Sequence, residues 1–136
     1  MAWTDSLIKI SNYEVETLQK RLSEIVDRRT HQEIRLAMIT AEGEAELAGA
    51  QNDAQAGWYL AGYRVGLKQR KADTQGRIDE IMVEELGARD ALAEAFEALK
   101  KYEQVHENRA IAARKEQGRL ETAELDELGL RRVAAR

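Results

Sequence analysis

The chain has 136 residues, of which 34% are charged and 5% are aromatic, and it contains no proline and no cysteine. A formal net charge of −4 argues against a nucleic-acid surface, which usually carries a strong basic excess. The lack of cysteine excludes disulfides and thiol chemistry and favours a cytoplasmic setting. We also expect no direct membrane insertion, since no apolar run approaches the roughly 20 residues that span a bilayer.

The first element predicted is a long helix with a coiled-coil seam. Proline normally makes up about one residue in twenty, and its absence favours long helices with few loops. Positions 15 to 39 follow a 3-4 spacing for more than three heptads, which is typical of a left-handed coiled coil. These seam positions are Val15, Leu18, Leu22, Ile25, Arg29, Gln32, Leu36 and Ile39. Arg29 and Gln32 would form a polar layer that fixes the register of the pairing.

A turn and a second helix follow. The glycines and polar residues at 49–57 are the best turn signal, with a rival at 73–76. We therefore predict an all-α fold, a long antiparallel two-helix coiled-coil hairpin with an extended C-terminal helix. Residues 1–136 would be a single domain, with helix 1 at about 4–48, the turn at about 49–53 and helix 2 at about 54–133. In this register, paired positions add to about 103, so that Leu36 faces Leu67 and Ile25 faces Ile78. The polar layer of Arg29 and Gln32 would then lie opposite Asp73 and Lys71.

The two predicted helices are unequal in length, about 67 Å and about 120 Å at 1.5 Å per residue. Helix 2 would therefore extend beyond its partner after Leu99. That extension still carries large apolar side chains, including Ile111, Leu120, Leu125 and Leu128. We interpret it as a docking segment. The alternative is a solvated, partly frayed helix, because single exposed apolar residues are common.

The search for catalytic, cofactor and metal sites in the sequence finds none. The chain has two histidines, His31 and His106. Glu103 and His106 match half of a di-iron motif, but the second copy that such a site needs does not occur. A half-exposed position in the seam is the better interpretation of His106. We predict a protein that is not an enzyme.

An aromatic cluster lies just past the predicted turn. It comprises Trp58, Tyr59, Leu60, Tyr63 and Leu67, interleaved with the small residues Gly57, Ala61, Gly62 and Gly66. In one interpretation, the small residues let the helices approach closely and the aromatics close the end of the hairpin. In the other, the aromatics form a binding surface, since aromatic side chains are typical interface anchors.

Several segments along the whole chain resemble the FliJ family, the soluble stalk proteins of the flagellar type III export apparatus. They are residues 7–10, 13–16, 57–64, 100–103, Arg109, 114–116 and, above all, the closing Glu-Leu-Asp-Glu-Leu at 124–128. The resemblance implies an antiparallel coiled coil whose terminal end enters the hexameric ring of the export ATPase and promotes its assembly and turnover. It also implies contact with the cytoplasmic domain of the export gate, a role in recycling export chaperones, and a cytoplasmic location beside the membrane apparatus.

Residue by residue, the resemblance implies two sets of binding residues. Those facing the ATPase ring would be Lys100, Lys101, Arg109, Glu116, Asp126, Glu127, Arg131 and Arg132. Those facing the export gate would be Trp58, Tyr59, Tyr63 and Leu67. A stalk of this kind is expected to be a monomer. Three alternatives remain open: a self-associating structural coiled coil, an escort protein for export chaperones, and a holding chaperone that binds unfolded chains.

Overall fold

The computed structural model of the chain describes residues 2–51 and 57–135. Two α-helices account for them, α1 at Ala2–Gln51 and α2 at Gly57–Ala134. The helices pack against each other, and the described residues include no strand. The predicted all-α helical hairpin is confirmed.

The helix ends differ from the predicted ones near the turn. Helix α1 continues through Gly49 to Gln51, three residues past the predicted end, and α2 begins at Gly57. A glycine inside a helix costs only about 1 kcal/mol, and the burial of Ala50 offsets that cost. Residues 52 and 53 of the predicted turn lie outside the described residues. The rival turn at 73–76 is wrong, because that segment lies inside α2.

Contacts group the chain into two compact units, Glu16–Ala93 and Met1–Val15 with Glu94–Arg136. We call the first the middle unit. We call the described residues of the second unit the terminal unit.

In the middle unit, the core lies along the heptad seam. Ile25, Ile81 and Ala88 are buried together, and Leu22 packs against them. The register differs from the predicted one by about one heptad. The positions of Gly43 and Leu67 add to 110, those of Arg28 and Glu84 to 112 and those of Arg29 and Glu85 to 114, rather than to 103. The shift follows from the later end of α1, which moves every α1 position toward a later partner on α2.

In the terminal unit, the N-terminal part of α1 packs on residues of α2 up to Arg109. Val15 and Leu99 are buried there, and so is Thr4. Every residue from 111 to 135 is exposed. The prediction that α2 loses its partner after Leu99 is therefore wrong, since pairing continues through His106 and Arg109. We call residues 111–134 of α2 the exposed arm.

Candidate functional site

The aromatic cluster occupies the first turns of α2. Trp58 is 86% exposed, and its ring meets the ring of Tyr59 edge to face at 5.7 Å. The Tyr59 hydroxyl donates a hydrogen bond to Glu46 of α1 at 3.1 Å. Tyr59 and Tyr63 are half-buried. The structure thus divides the cluster into an exposed indole and two tyrosines that are partly covered.

Leu67, the fourth residue expected to face the gate, packs against Gly43 of α1. A Cβ atom added at Gly43 would lie 2.5 Å from Leu67 Cδ2, so that the leucine side chain occupies the place of a side chain at position 43. Gly57 and Gly62 make no such contact, since no described side chain of a residue that is not a chain neighbour, and no described atom of α1, lies within 4 Å of a Cβ built at either. The close approach expected at the interleaved glycines is therefore wrong, and it occurs instead at Gly43.

A groove of about 540 Å³ runs between the helices in the middle unit. Its apolar side chains Ile34 and Met38 are 52% and 57% exposed. Its cationic walls include Arg35 of α1 and Arg70 of α2. The full lining comprises His31, Gln32, Ile34, Arg35, Met38, Ile39, Glu42, Arg70, Asp73, Thr74 and Arg77.

Sequence reasoning missed this groove. Ile34 and Met38 lie outside the heptad seam but four residues apart, which puts them on one face of α1. That spacing is the sequence feature from which a second apolar face on α1 could have been predicted. One further polar feature lies in the groove: the side-chain oxygen of Gln32 is buried and has no hydrogen-bond partner among the described atoms. The groove is therefore an additional candidate contact surface, in which exposed apolar side chains lie among three arginines and two carboxylates.

A charged cluster crosses the seam of the middle unit. Arg29 donates to Glu85 at 2.9 Å and to Glu33 at 2.8 Å, and Arg89 also donates to Glu85 at 2.9 Å. The Glu85 side chain is only 10% exposed. The expected polar layer at Arg29 exists, but its partner is Glu85 rather than Asp73, in line with the shifted register.

These ion pairs change the protonation of the carboxylates. Hydrogen bonds from Arg89 and Arg29 hold the pKa of Glu85 below the usual glutamate value. A two-pronged hydrogen bond from Arg28 lowers the pKa of Glu84 in the same way, with N–O distances of 3.0 and 2.8 Å. Both carboxylates are thereby kept as anions, and their ion pairs join α1 to α2.

A second cluster joins the helices in the terminal unit. The guanidinium carbon of Arg109 lies 4.2 Å from the centre of the Trp3 ring, a cation–π contact. Thr4 Oγ1 and His106 Nδ1 are hydrogen-bonded at 3.0 Å, and Asp5 Oδ1 lies 3.6 Å from the same nitrogen. His106 is half-buried, as expected for a seam position.

All eight residues expected to face the ring are exposed on α2. Lys100 pairs with Glu103, Lys101 with Glu97, Glu116 with Arg119 and Arg131 with Glu127, in each case within α2. Arg109 differs, because it is held from α1 by Trp3. Asp126, Glu127, Arg131 and Arg132 lie near the end of the exposed arm.

The described residues include no group of three or more side chains able to hold a metal ion. Neither helix, over its described length, has a stretch apolar and long enough to cross a membrane.

The comparisons with known proteins agree on one family name. The chain is 54% identical over 132 residues to the flagellar FliJ protein of Caulobacter vibrioides, in both strain NA1000 / CB15N and strain ATCC 19089 / CIP 103742 / CB 15. Each alignment covers 97% of this chain and 95% of the relative. No protein-family model matches the chain. No solved structure matches it either.

Proposed function

The chain belongs to the FliJ family, and from this premise we propose that it is a non-enzymatic component of the flagellar type III export apparatus. The observation that carries the proposal is the 54% identity to flagellar FliJ proteins over 97% of the chain. Such identity over nearly the full length is far beyond what shared coiled-coil composition produces. The protein acts by binding, as a helical stalk between an ATPase ring and the export gate.

The exposed arm is the proposed contact for the hexameric export ATPase, with Lys100, Lys101 and Arg109 at its base. All of its side chains are exposed, and it carries both signs of charge. A helical rod cannot match six identical subunits equally, so its contacts should be polar, numerous and individually weak. Charged side chains on a bare helix suit that task better than a continuous apolar stripe.

The aromatic cluster and the groove are the proposed contacts for the cytoplasmic domain of the export gate. The support is the 86% exposed indole of Trp58, with the exposed apolar side chains Ile34 and Met38 in the groove. Exposed aromatic and apolar side chains, here at two places in the middle unit, are a common mark of protein interfaces. Escort of export chaperones, as the family resemblance implies, would use the same exposed surfaces.

Two variants test whether the exposed arm binds the ATPase ring and the aromatic cluster with the groove binds the export gate. One ends at Ala110 and lacks the exposed arm, and the other carries Trp58→Ala with Met38→Ser. We expect the shortened chain to lose co-sedimentation with the ATPase hexamer but to keep binding to the gate domain. The double variant should show the opposite pattern.

Each variant is thus the control for the other, because each should keep the partner that the other loses. Circular dichroism should show that both variants remain helical. If both variants lose both partners, the two sites are not separate. If the full chain binds neither partner, the stalk function is wrong.

Self-association of a structural coiled coil is the second candidate, and it is favoured by one observation. Leu125 and Leu128 on the exposed arm are 68% and 53% exposed, and a second chain could cover them. Light scattering distinguishes the two functions. A stalk is expected to have the monomer mass of 15.4 kDa at micromolar concentration. A dimer that persists on dilution would favour the structural coiled coil.

A further inference from the structure

The first part of α2 carries a charge opposite to that of the chain as a whole. Residues 57–77 contain five basic residues and one acidic residue, which gives them a net charge of +4, whereas the full chain has −4. The basic residues are Arg64, Lys68, Arg70, Lys71 and Arg77. None of these five side chains forms an ion pair with another described residue, so that their charges are left for a partner.

The side of this segment that faces away from α1 carries exposed apolar side chains. Positions 58, 61, 65, 68 and 72 follow a 3-4-3-4 spacing, which places them on one side of a helix. All five positions are exposed, Trp58 to 86% and Val65 to 70%. We call this stripe the outer face: Trp58, Ala61, Val65, Lys68 and Ala72. The other side of the segment packs on α1, where Leu67 lies against Gly43.

Cations lie in the outer face and along its edge. Lys68 belongs to the stripe itself, and together with Arg64 and Lys71 it surrounds a shallow hollow of about 190 Å³. The one acidic residue of the segment, Asp73, accepts a hydrogen bond from the amide of Gln69 at 2.9 Å. A helix with exposed tryptophan and aliphatic side chains beside a group of lysines and arginines is typical of helices that lie on a bilayer surface.

We propose that the outer face binds the surface of an anionic lipid bilayer. Trp58 lies at the level of the lipid headgroups, where tryptophan is enriched in membrane-bound proteins. Val65 contacts the apolar boundary below the headgroups, and Arg64, Lys68 and Lys71 lie over the anionic groups, since basic side chains near such a surface are attracted to it. Binding of this kind stays at the surface and requires no helix that crosses the bilayer.

The acidic side chains of α1 near this segment lie behind α2 in such a complex. Glu42, Glu44 and Glu46 belong to the helix that packs on the side of α2 opposite to the outer face. One helix diameter, about 10 Å, therefore separates α1 from the bilayer. Salt screens charges over about 8 Å at physiological ionic strength, so that these carboxylates weaken the attraction only slightly.

The exposed apolar side chains favour a lipid surface over nucleic acid as the partner. Phosphates of a nucleic acid would use the cations, and a single strand could stack a base on Trp58. Neither contact accounts for Val65, two turns further along the outer face. A bilayer offers headgroup charge to the cations and an apolar layer to both exposed side chains at once.

The first test measures co-sedimentation of the full chain with vesicles of phosphatidylglycerol and phosphatidylethanolamine, and with vesicles of phosphatidylcholine. We expect binding to the anionic vesicles alone, weakened by added salt. Lys68→Gln with Lys71→Gln should reduce binding by roughly 10- to 30-fold. Lys9→Gln with Lys20→Gln is the matched control, because it removes the same charge from exposed positions of α1 and should leave binding unchanged.

The second test follows the indole of the outer face. In a Trp3→Phe background, Trp58 is the single tryptophan. Its emission should shift to shorter wavelength when anionic vesicles are added, since the indole leaves water, and phosphatidylcholine vesicles should cause no shift. A single-stranded oligonucleotide of about 20 nucleotides, added at the same salt concentration, should cause none either.

Three results would overturn the proposal: no binding to anionic vesicles, equal loss of binding in the two lysine pairs, or Trp58 emission that stays unchanged on bound vesicles. A response to the oligonucleotide without one to the vesicles would make nucleic acid the partner instead. The inference goes beyond the proposed function, and its tests contain neither the ATPase ring nor the export gate. Its failure would therefore leave the stalk function as it stands.

Discussion

Single residues at the helix interface have sharply different roles, and the glycines show this best. Gly43 is buried against Leu67, whereas Gly62 faces open space. Only the first is a packing requirement. The spacing of glycines in the sequence could not reveal the difference, because it depends on which residue of α2 lies opposite, and therefore on the register.

Gly43→Leu should consequently destabilise the protein. The new side chain would compete with Leu67 for one space, and overpacking of this kind typically costs about 1–3 kcal/mol. Gly62→Leu is the matched control, with the same substitution at an exposed helical position where loss of a glycine favours the helix. Urea unfolding followed by circular dichroism measures both. Equal effects of the two substitutions would contradict the close approach at Gly43.

The charged residue Glu85 predicts a dependence of stability on pH. Its pKa in the folded protein is lowered by Arg89 and Arg29, whereas an unfolded glutamate titrates near about 4.3. The ionised group therefore stabilises the fold above that unfolded value. The contribution is lost as the pH falls through the lower, folded-state pKa.

We expect the melting temperature to fall on acidification from pH 6 to pH 3, and Glu85→Gln to flatten that fall while lowering the melting temperature at pH 6. Glu80→Gln, a change at an exposed glutamate, serves as the control. An unchanged pH profile in Glu85→Gln would show that the ion cluster contributes nothing in solution.

At the scale of the elements, the register is the main difference between sequence and structure. The helices themselves followed from the absence of proline and from the heptad seam. Their relative position could not be predicted in the same way. When one helix of a Leu, Ile and Ala seam moves by one heptad along the other, apolar residues still face apolar residues. What selects the observed register is the pairing of Arg28 and Arg29 with Glu84 and Glu85, together with the end of α1 at Gln51.

Engineered disulfides can measure the register, since the chain has no cysteine of its own. Cysteines introduced together at Gly43 and Leu67 should cross-link readily on oxidation. Cysteines introduced at Leu36 and Leu67 test the predicted register instead. They should not cross-link, because position 36 lies about 10 Å along α1 from position 43 and a disulfide needs Cα atoms within about 7 Å. Mobility on a non-reducing gel shows the result, and cross-linking of the second pair would contradict the observed register.

The candidate surfaces were predictable only in part. The aromatic cluster stood out in the sequence because aromatic residues are rare in this chain. The groove and the Trp3–Arg109 contact did not stand out, since each depends on side chains brought from both helices. Trp3 and Arg109, for example, are far apart in the sequence and meet only in the shifted register.

At the scale of the whole molecule, the candidate contacts lie on exposed surfaces of the two helices. Two long helices leave little interior, and the proposed function explains the exposed charged and apolar side chains as contacts with partners. Membership of the FliJ family indicates a component of the flagellar export apparatus. In the proposed stalk, the exposed arm binds the ATPase ring and the aromatic cluster binds the export gate.

The most direct test of the stalk function is steady-state ATP hydrolysis by the export ATPase of the same organism, with the full chain and with the chain ended at Ala110. The shortened chain is a fair control, because every residue removed from the described part of α2 is exposed, and its melting temperature should match that of the full chain. We expect the full chain to stimulate hydrolysis and the shortened chain to have no effect. Equal stimulation by both, or by neither, would contradict the proposed role of the exposed arm.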